Sequence, residues 1–424
     1  MRLAIVSQQG GKASGAEHAL MHFVKCLPAD VERSWYFLSD GEFADSIRRR
    51  SEAVTIVQMS DRVAAAERGG LPLSAARDSV AVTLRLANRL RDARPDVVLS
   101  NSMKAHVVGS IAAKIAGIPC LNYIHDIVED RSRALLRTIS GLCAAERLTC
   151  SKAVKAHLAL PSTSVVYAAI DVAAFAELPD RRASRAALGI PDDGLPVVAM
   201  VGRIARWKGQ DRFIRIANVV LQQIDAHFCI VGSPIFGCDS AYVDELRIAI
   251  TERSLGNRIH FVPWQEDMRA VYAAIDVACN CSVREPFGRT SLEALASGVP
   301  VVCFDDAGVC EIFEQHGGAS HVPAGDDAAF AAAIRAYLDD PERRLREGLQ
   351  ARRAAGSLDA QQAFQVFADA IARVAARRRT IDLRRFVPSG RGPKEPGQPL
   401  PAFASTIGCA PNADQQETDE CFIA

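Results

Sequence analysis

Net charge is missing from this chain: Lys and Arg total 50, Asp and Glu total 50, over 424 residues. Such a balance gives no pull toward a phosphate backbone, and no nucleic-acid partner is expected. Paired cysteines are missing too. The 12 cysteines include no C-x-x-C pair, and Cys229, Cys279 and Cys303 fall inside apolar runs. Buried free thiols in a reducing compartment are therefore expected, in place of disulfides or a zinc site. Cys279 and Cys281 form C-x-C without a second pair nearby, so no metal is assigned there. There is no run of ~18 apolar residues, which excludes a transmembrane helix. The opening MRLAIVS is too short to read as a signal peptide and reads as a first strand. A cytoplasmic protein is expected. Arg48–Arg50 and Arg377–Arg379 read as solvated helix ends, with peripheral contact at the inner membrane face as the sharper alternative.

What is present is a long alternation of short apolar runs and helical patterns. Candidate strands are 3–7, 96–100, 119–124, 147–150, 197–201, 227–231, 258–262, 276–281 and 299–304. Runs that are apolar throughout, separated by helices, point to parallel sheets covered on both faces, the α/β doubly wound class. A polar, turn-rich segment at 176–196 divides the chain. The expected organisation is a first domain over 1–172, a linker over 173–195 and a second domain over 196–358. A helix over 359–380 follows, in which Phe364, Phe367, Ala368, Ile371 and Ala375 form one apolar stripe. The Pro/Gly-rich and then acidic stretch 387–424 reads as a disordered tail.

In an open α/β sheet, ligands bind beyond the carboxyl ends of the strands. After 3–7 come Gly10, Gly11 and Gly15, ahead of a helix. They fit either an anion-binding loop or a plain strand-to-helix connection. The spacing is neither G-x-G-x-x-G nor G-x-x-x-x-G-K-[ST], which argues against dinucleotide and Walker-type sites. His125 follows 119–124, where it can hydrogen-bond a ligand or simply pack. After 197–201 come Arg203, Arg206 and Lys208, just before a helix starting near Gln210. Three cations beside a helix N-terminus suit a diphosphate. After 276–281 comes REPFGR, then a helix expected to start near Thr290 or Ser291. Glu293 lies three residues beyond Thr290, so a capping box would account for it. Capping does not account for Glu285 in the preceding loop. Two carboxylates near one helix start also suit sugar and ribose hydroxyls.

The pair Glu285 and Glu293 in EPFGRTSLEALASGVPVV resembles the E-x7-E motif of retaining glycosyltransferases of the GT-B fold, family 4 in particular. VGRIARWKGQDRFIRIA is similar to that family's diphosphate-binding segment, and SGAEHAL and YIHD resemble its glycine-rich loop and strand-end histidine. Serine at 14 and Ala168-Ala169 depart from its usual residues. The resemblance implies two Rossmann-like domains facing across a cleft, with the C-terminal helix crossing back to the first. It implies that Arg203 and Lys208 hold a donor diphosphate and that Glu285 meets the donor sugar. Glu293 would meet the ribose, and Phe287, Gly288 and Arg289 would contact sugar or phosphate. His125 would lie near the reacting sugar, and Gly11 and Gly15 would approach phosphate or acceptor. The implied enzyme is a retaining hexosyltransferase of polysaccharide or glycoconjugate synthesis. It would use a UDP-, GDP- or other nucleotide-sugar donor and a glycan or lipid-linked acceptor, with no cofactor. No D-x-D occurs, so metal-independent transfer is expected. The alternatives are a sugar-nucleotide epimerase of the same fold and a nucleotide-sugar-binding scaffold without activity.

Overall fold

The computed structural model describes residues 1–8, 10–11, 13–60, 73–128, 130–234, 240–313, 319–357 and 360–386. The tail expected over 387–424 lies outside the described residues.

Two wholly parallel sheets form. The first contains β1 (Arg2–Ser7), β2 (Glu32–Phe37), β3 (Ala53–Ile56), β4 (Val97–Asn101), β5 (Cys120–Ile124), β6 (Glu146–Thr149) and β7 (Thr163–Val165). Their spatial order is β3-β2-β1-β4-β5-β6-β7. The second contains β8 (Val197–Val201), β9 (His227–Val231), β10 (Ile259–Val262), β11 (Val277–Asn280), β12 (Val301–Asp305) and β13 (Ala319–Pro323), ordered β10-β9-β8-β11-β12-β13. Each sheet reverses its winding once, between β1 and β4 and between β8 and β11. Those reversals are where a doubly wound sheet opens a crevice at its carboxyl edge.

The reading of apolar runs as doubly covered strands holds residue by residue. All five positions of β4, β5, β8 and β9 are buried. Helices on both faces supply the cover. On one face of the second sheet Phe213 and Phe228 meet edge-on at 5.6 Å, and Phe304 and Phe330 pack at 4.7 Å. Each such ring contributes roughly 2–3 kcal/mol of apolar burial.

The segment read as a plain connector carries a helix, Arg181–Ala187, started by Asp180, whose side chain accepts from Ala183 N–H at 2.8 Å. It docks on the second sheet through charge. Arg181 and Arg185 both donate to Asp276 Oδ2, at 2.5 and 3.3 Å, and Val197 N–H donates to the same oxygen at 2.8 Å. A polar sequence hid this element because its anchor is an ion-pair cluster, not an apolar stripe.

The last described helix, Ala360–Phe386, returns to the first domain. Phe367 stacks on Phe23 at 5.0 Å and lies 5.9 Å from Tyr123. Ala370, Ile371 and Val374 are buried with it. Arg373 and Arg377 pair with Glu146 at 3.0 and 3.1 Å. Arg377, read from sequence as a solvated or membrane-facing cation, is thus committed to a strand of the first sheet. Among the described residues no helix is long and apolar enough to cross a membrane.

Candidate functional site

At the winding reversal of the second sheet, the loops after β8 and β11 are stitched together. Gly202 leaves β8 with φ 149°, and Gly232 leaves β9 with φ 144°. A Cβ on Gly232 would stand 2.1 Å from Gly202 O, so these two exits pass backbone against backbone. The chain then turns through Arg206–Lys208 into the helix Gln210–Leu221, with Gly209 in the left-handed region at φ 82°. A Cβ on Gly209 would lie 2.4 Å from Cys281 O, and Val283 N–H donates to Trp207 O at 2.8 Å. These approaches bring Lys208 Nζ to 2.7 Å from Glu285 Oε2, with both side chains largely buried. A partly buried ammonium–carboxylate pair of this length is a strong, charge-assisted contact.

The three-cation cluster expected here divides. Arg203 lies with its guanidinium 5.9 Å from the Trp207 ring centre, and Lys208 Nζ is 4.3 Å from it. Arg206 turns away, pairing with Glu245 at 2.5 Å over the Tyr242 ring.

The helix after the glutamate loop runs Arg289–Ala296 with Gly288 as its N-cap at φ 91°. Thr290 therefore lies inside the helix, and the capping box expected for Glu293 does not form. The glycine is required: its φ suits no branched residue, and a Cβ would meet Val309 Cγ2 at 3.0 Å. Freed from capping, Glu293 turns into a buried niche. Tyr272 Oη lies 3.1 Å from its Oε2, and Arg289 Nη2 donates to its Oε1 at 3.4 Å. Burial raises the Glu293 pKa above the ordinary carboxylate value, against opposing pulls from Arg289 and Tyr272. The Glu285 backbone is held separately. Its carbonyl accepts from Gly308 N–H at 2.8 Å, and a Cβ on Gly308 would be 1.9 Å from Pro286 O.

Arg289 links the domains. Its Nη1 donates to Gly15 O at 3.2 Å, at the start of the helix Gly15–Lys25. Its charge also acts on His18, His125 and Tyr123, so these groups share one electrostatic neighbourhood. His125 is buried on the Tyr123 ring at 4.0 Å, and its Nε2 donates to Asn101 Oδ1 at 2.8 Å. Burial first, then His106 and Arg289, lower its pKa to about 3, so the ring is neutral at physiological pH. Tyr167 and Phe287 stack across the domains at 5.7 Å.

The glycine loop after β1 packs against the helix Glu42–Arg49. Gly10 and Gly11 are spent on local packing: their carbonyls accept from Ala44 and Phe43 N–H at 3.0 and 2.8 Å. A Cβ on Gly15 would meet nothing within 4 Å. Beneath this loop Glu17 is buried, accepting from Ser7 Oγ at 3.2 Å and Ser14 N–H at 3.0 Å.

Sequence reasoning missed two residues. Tyr272 carries no motif, because its role depends on a helix packed against Glu293. Glu311 reaches from the loop after β12 to Lys152 and Ala153 N–H of the first domain, at 2.8 and 2.7 Å. There it caps the helix Lys152–Leu158 across the domain boundary. A cavity of about 570 Å³ lies apart from all these residues, at the end of β3, lined by Met59, Asp78, Arg85 and Arg89 among others.

Two parallel doubly wound sheets with their carboxyl-edge loops in contact, closed by a returning C-terminal helix, define the GT-B fold. Solved structures bear this out. Anabaena Alr3699/HepE in complex with UDP and glucose superposes with a TM-score of 0.76 at 24% identity, covering 88% of this chain and 99% of that one. WaaG, a glycosyltransferase involved in lipopolysaccharide biosynthesis, superposes at 0.70 with 15% identity over 87% of this chain and 99% of that one. Residues 180–354 match the family model described as Glycosyl transferases group 1. Among curated relatives, the 2-deoxystreptamine glucosyltransferase of Streptomyces kanamyceticus is 27% identical over 58% of this chain and 68% of its own length. The lipopolysaccharide core mannosyltransferase LpcC of Rhizobium leguminosarum bv. viciae is 30% identical over 46% of this chain. The alignments span about half the length of several such relatives, 47% and 55% in two cases.

Proposed function

We propose that this protein is a retaining glycosyltransferase that moves a hexose from a nucleoside-diphosphate sugar to a glycan or lipid-linked acceptor. Bacterial polysaccharide or glycoconjugate assembly is the setting. The observation that carries the reading is the 2.7 Å pair between Lys208 and Glu285, which fuses the diphosphate-type loop and the glutamate loop into one site. UDP is the first donor base to test, since similar folds have been solved with UDP bound.

Breaking the anomeric C–O bond puts positive charge on the sugar and negative charge on the departing diphosphate. Lys208, Arg203 and the N-terminus of the helix Gln210–Leu221 stabilise the leaving group. Glu285 keeps lone pairs beyond the one used by Lys208 and accepts from donor sugar hydroxyls. Glu293 accepts from the ribose, with Tyr272 and Arg289 fixing its carboxylate. The Phe287–Arg289 backbone lies against sugar or phosphate. Neutral His125 faces the sugar from the first domain as a hydrogen-bonding group, and Gly15 borders the same space. The acceptor hydroxyl attacks on the face the diphosphate leaves, and its proton passes to the departing phosphate oxygen. The cations do the work of a metal clamp. The enzyme acts in the cytosol, at the inner membrane face where its acceptor is lipid-linked.

Thermal unfolding with UDP, GDP, ADP and their sugar conjugates tests this. One nucleoside diphosphate raises Tm by mass action, and its sugar conjugate raises it further. Absence of a shift with every diphosphate overturns the donor site. A shift without transfer to any acceptor supports a binding scaffold instead.

A further inference from the structure

Strand pairing at the far edge of the second sheet gathers a set of donors that the proposed transfer does not use. β12 and β13 run parallel with Cys303 opposite His321 and Asp305 opposite Pro323. Side chains alternate along a strand, so Cys303, Asp305 and His321 project from one face. The turn Cys310–Ile312 then folds the chain back over that face. The result places one ligand atom each from Asp305, Cys310 and His321 within 4.8 Å of one another. Asp305 and His321 are exposed, while Cys310 is buried beneath them.

We propose that Asp305, Cys310 and His321 form a binding site for a soft divalent cation of the zinc class. Thiolate, imidazole and carboxylate are the three zinc ligand types, with bonds of about 2.0–2.3 Å. Ligand atoms in a tetrahedral site then stand about 3.4 Å apart, so the observed set closes on an ion by a small inward movement. The three groups come from one strand, the turn after it and the neighbouring strand. An ion there ties that turn to the sheet. Two exposed ligands leave the fourth position to water, the pattern of a zinc site with an open coordination place. Binding deprotonates the Cys310 thiol, whose proton leaves to solvent, and the ion replaces the present Cys310 Sγ contact to Phe304 O at 3.6 Å. The site stands apart from the Lys208–Glu285 pair, and it does not depend on which donor the enzyme uses. Its loop nevertheless carries Gly308, which holds the Glu285 backbone, and Glu311, which reaches the first domain. Occupancy therefore stiffens the wall behind the transfer site.

The full chain, stripped with chelator and kept reduced, is titrated with Co²⁺ and then Zn²⁺. The expected result is a thiolate-to-cobalt charge-transfer band saturating at about one equivalent, with about one proton released as cobalt binds, and the band is then lost as zinc displaces cobalt without further proton release. Cys310→Ser removes the band. Asp305→Asn and His321→Ala, both at exposed positions, each weaken binding at least ~10-fold. No band in the wild type overturns the site, as does an undiminished band in Cys310→Ser, which would assign it to other thiols. If Cys310→Ser does not fold, the two exposed variants decide: wild-type affinity in both overturns the site.

Discussion

Lys208 Nζ and Glu285 Oε2 lie 2.7 Å apart although 77 residues separate them in the chain. Neither side chain is free of the other: 15% and 7% of their side-chain surfaces are exposed. Removing either partner leaves a buried charge, which costs more than the pair itself contributes. Lys208→Ala and Glu285→Gln should each lower kcat by roughly 10²–10³-fold, as loss of a preorganised charge does. Each should also lower stability, by up to about 3 kcal/mol. The double variant should recover part of that stability while remaining inactive. Urea unfolding of the four proteins checks this, and a double variant no more stable than the singles would refute the coupling.

Gly288, not Thr290, starts the helix that carries Glu293. Thr290→Ala should change stability by less than about 0.5 kcal/mol, whereas loss of an N-cap side chain costs about 1 kcal/mol. Gly288→Ala should cost more than about 1 kcal/mol, because φ is 91° and Val309 blocks the new Cβ. Glu293→Gln should fold normally and weaken nucleoside-diphosphate binding. Equal stability losses at 288 and 290 would restore the capping account.

Much of this was legible before any coordinates. Apolar runs located the strands because a sheet buried on both faces leaves no polar face to interrupt them. The loops bearing Lys208 and Glu285 were legible because strand ends announce ligand loops. Other features depend on long-range partners that one sequence does not reveal. Arg206 looked like a third diphosphate cation until Glu245 was seen beside it. The capping box at Glu293 was locally sound and was overridden by a left-handed Gly288. The helix Arg181–Ala187 became visible only with Asp276, far away in sequence, as its anchor.

Glu311 joins the loop behind Glu285 to the first domain through two backbone amides at 2.8 and 2.7 Å. These are charge-assisted bonds at a helix start, a geometry favoured by the helix dipole. Glu311→Ala should loosen the two domains without unfolding either. Hydrogen exchange should speed up at Lys152 and Ala153, and KM for the donor should rise more than kcat falls. Unchanged exchange at both amides would show that Glu311 does not hold the domains together.

His106 and His125 set a pH dependence whose sign follows from burial. Both are buried, 1% and 8% exposed. Desolvation chiefly lowers each pKa from 6.5 to about 3. In the unfolded chain they take up protons as pH falls below 6.5, while in the folded chain they stay neutral until about 3. Their contribution to stability is present above pH 6.5 and is lost across that window, by up to about 1.4 kcal/mol per pH unit for each ring. Glu17 and Glu293 act in the opposite sense, since burial raises both above 4.5. They favour the folded state below 4.5 and withdraw that support as pH rises through their folded values. From pH 4.5 up to the folded values of the two glutamates the effects oppose each other, and the histidine slope is exposed by removing one ring. His125→Asn, which cannot charge, should flatten the decline of the urea midpoint on going from pH 7 to pH 5. A wild-type slope in that variant would mean that His125 already titrates near its ordinary value in the folded protein and that its burial is not what keeps it neutral.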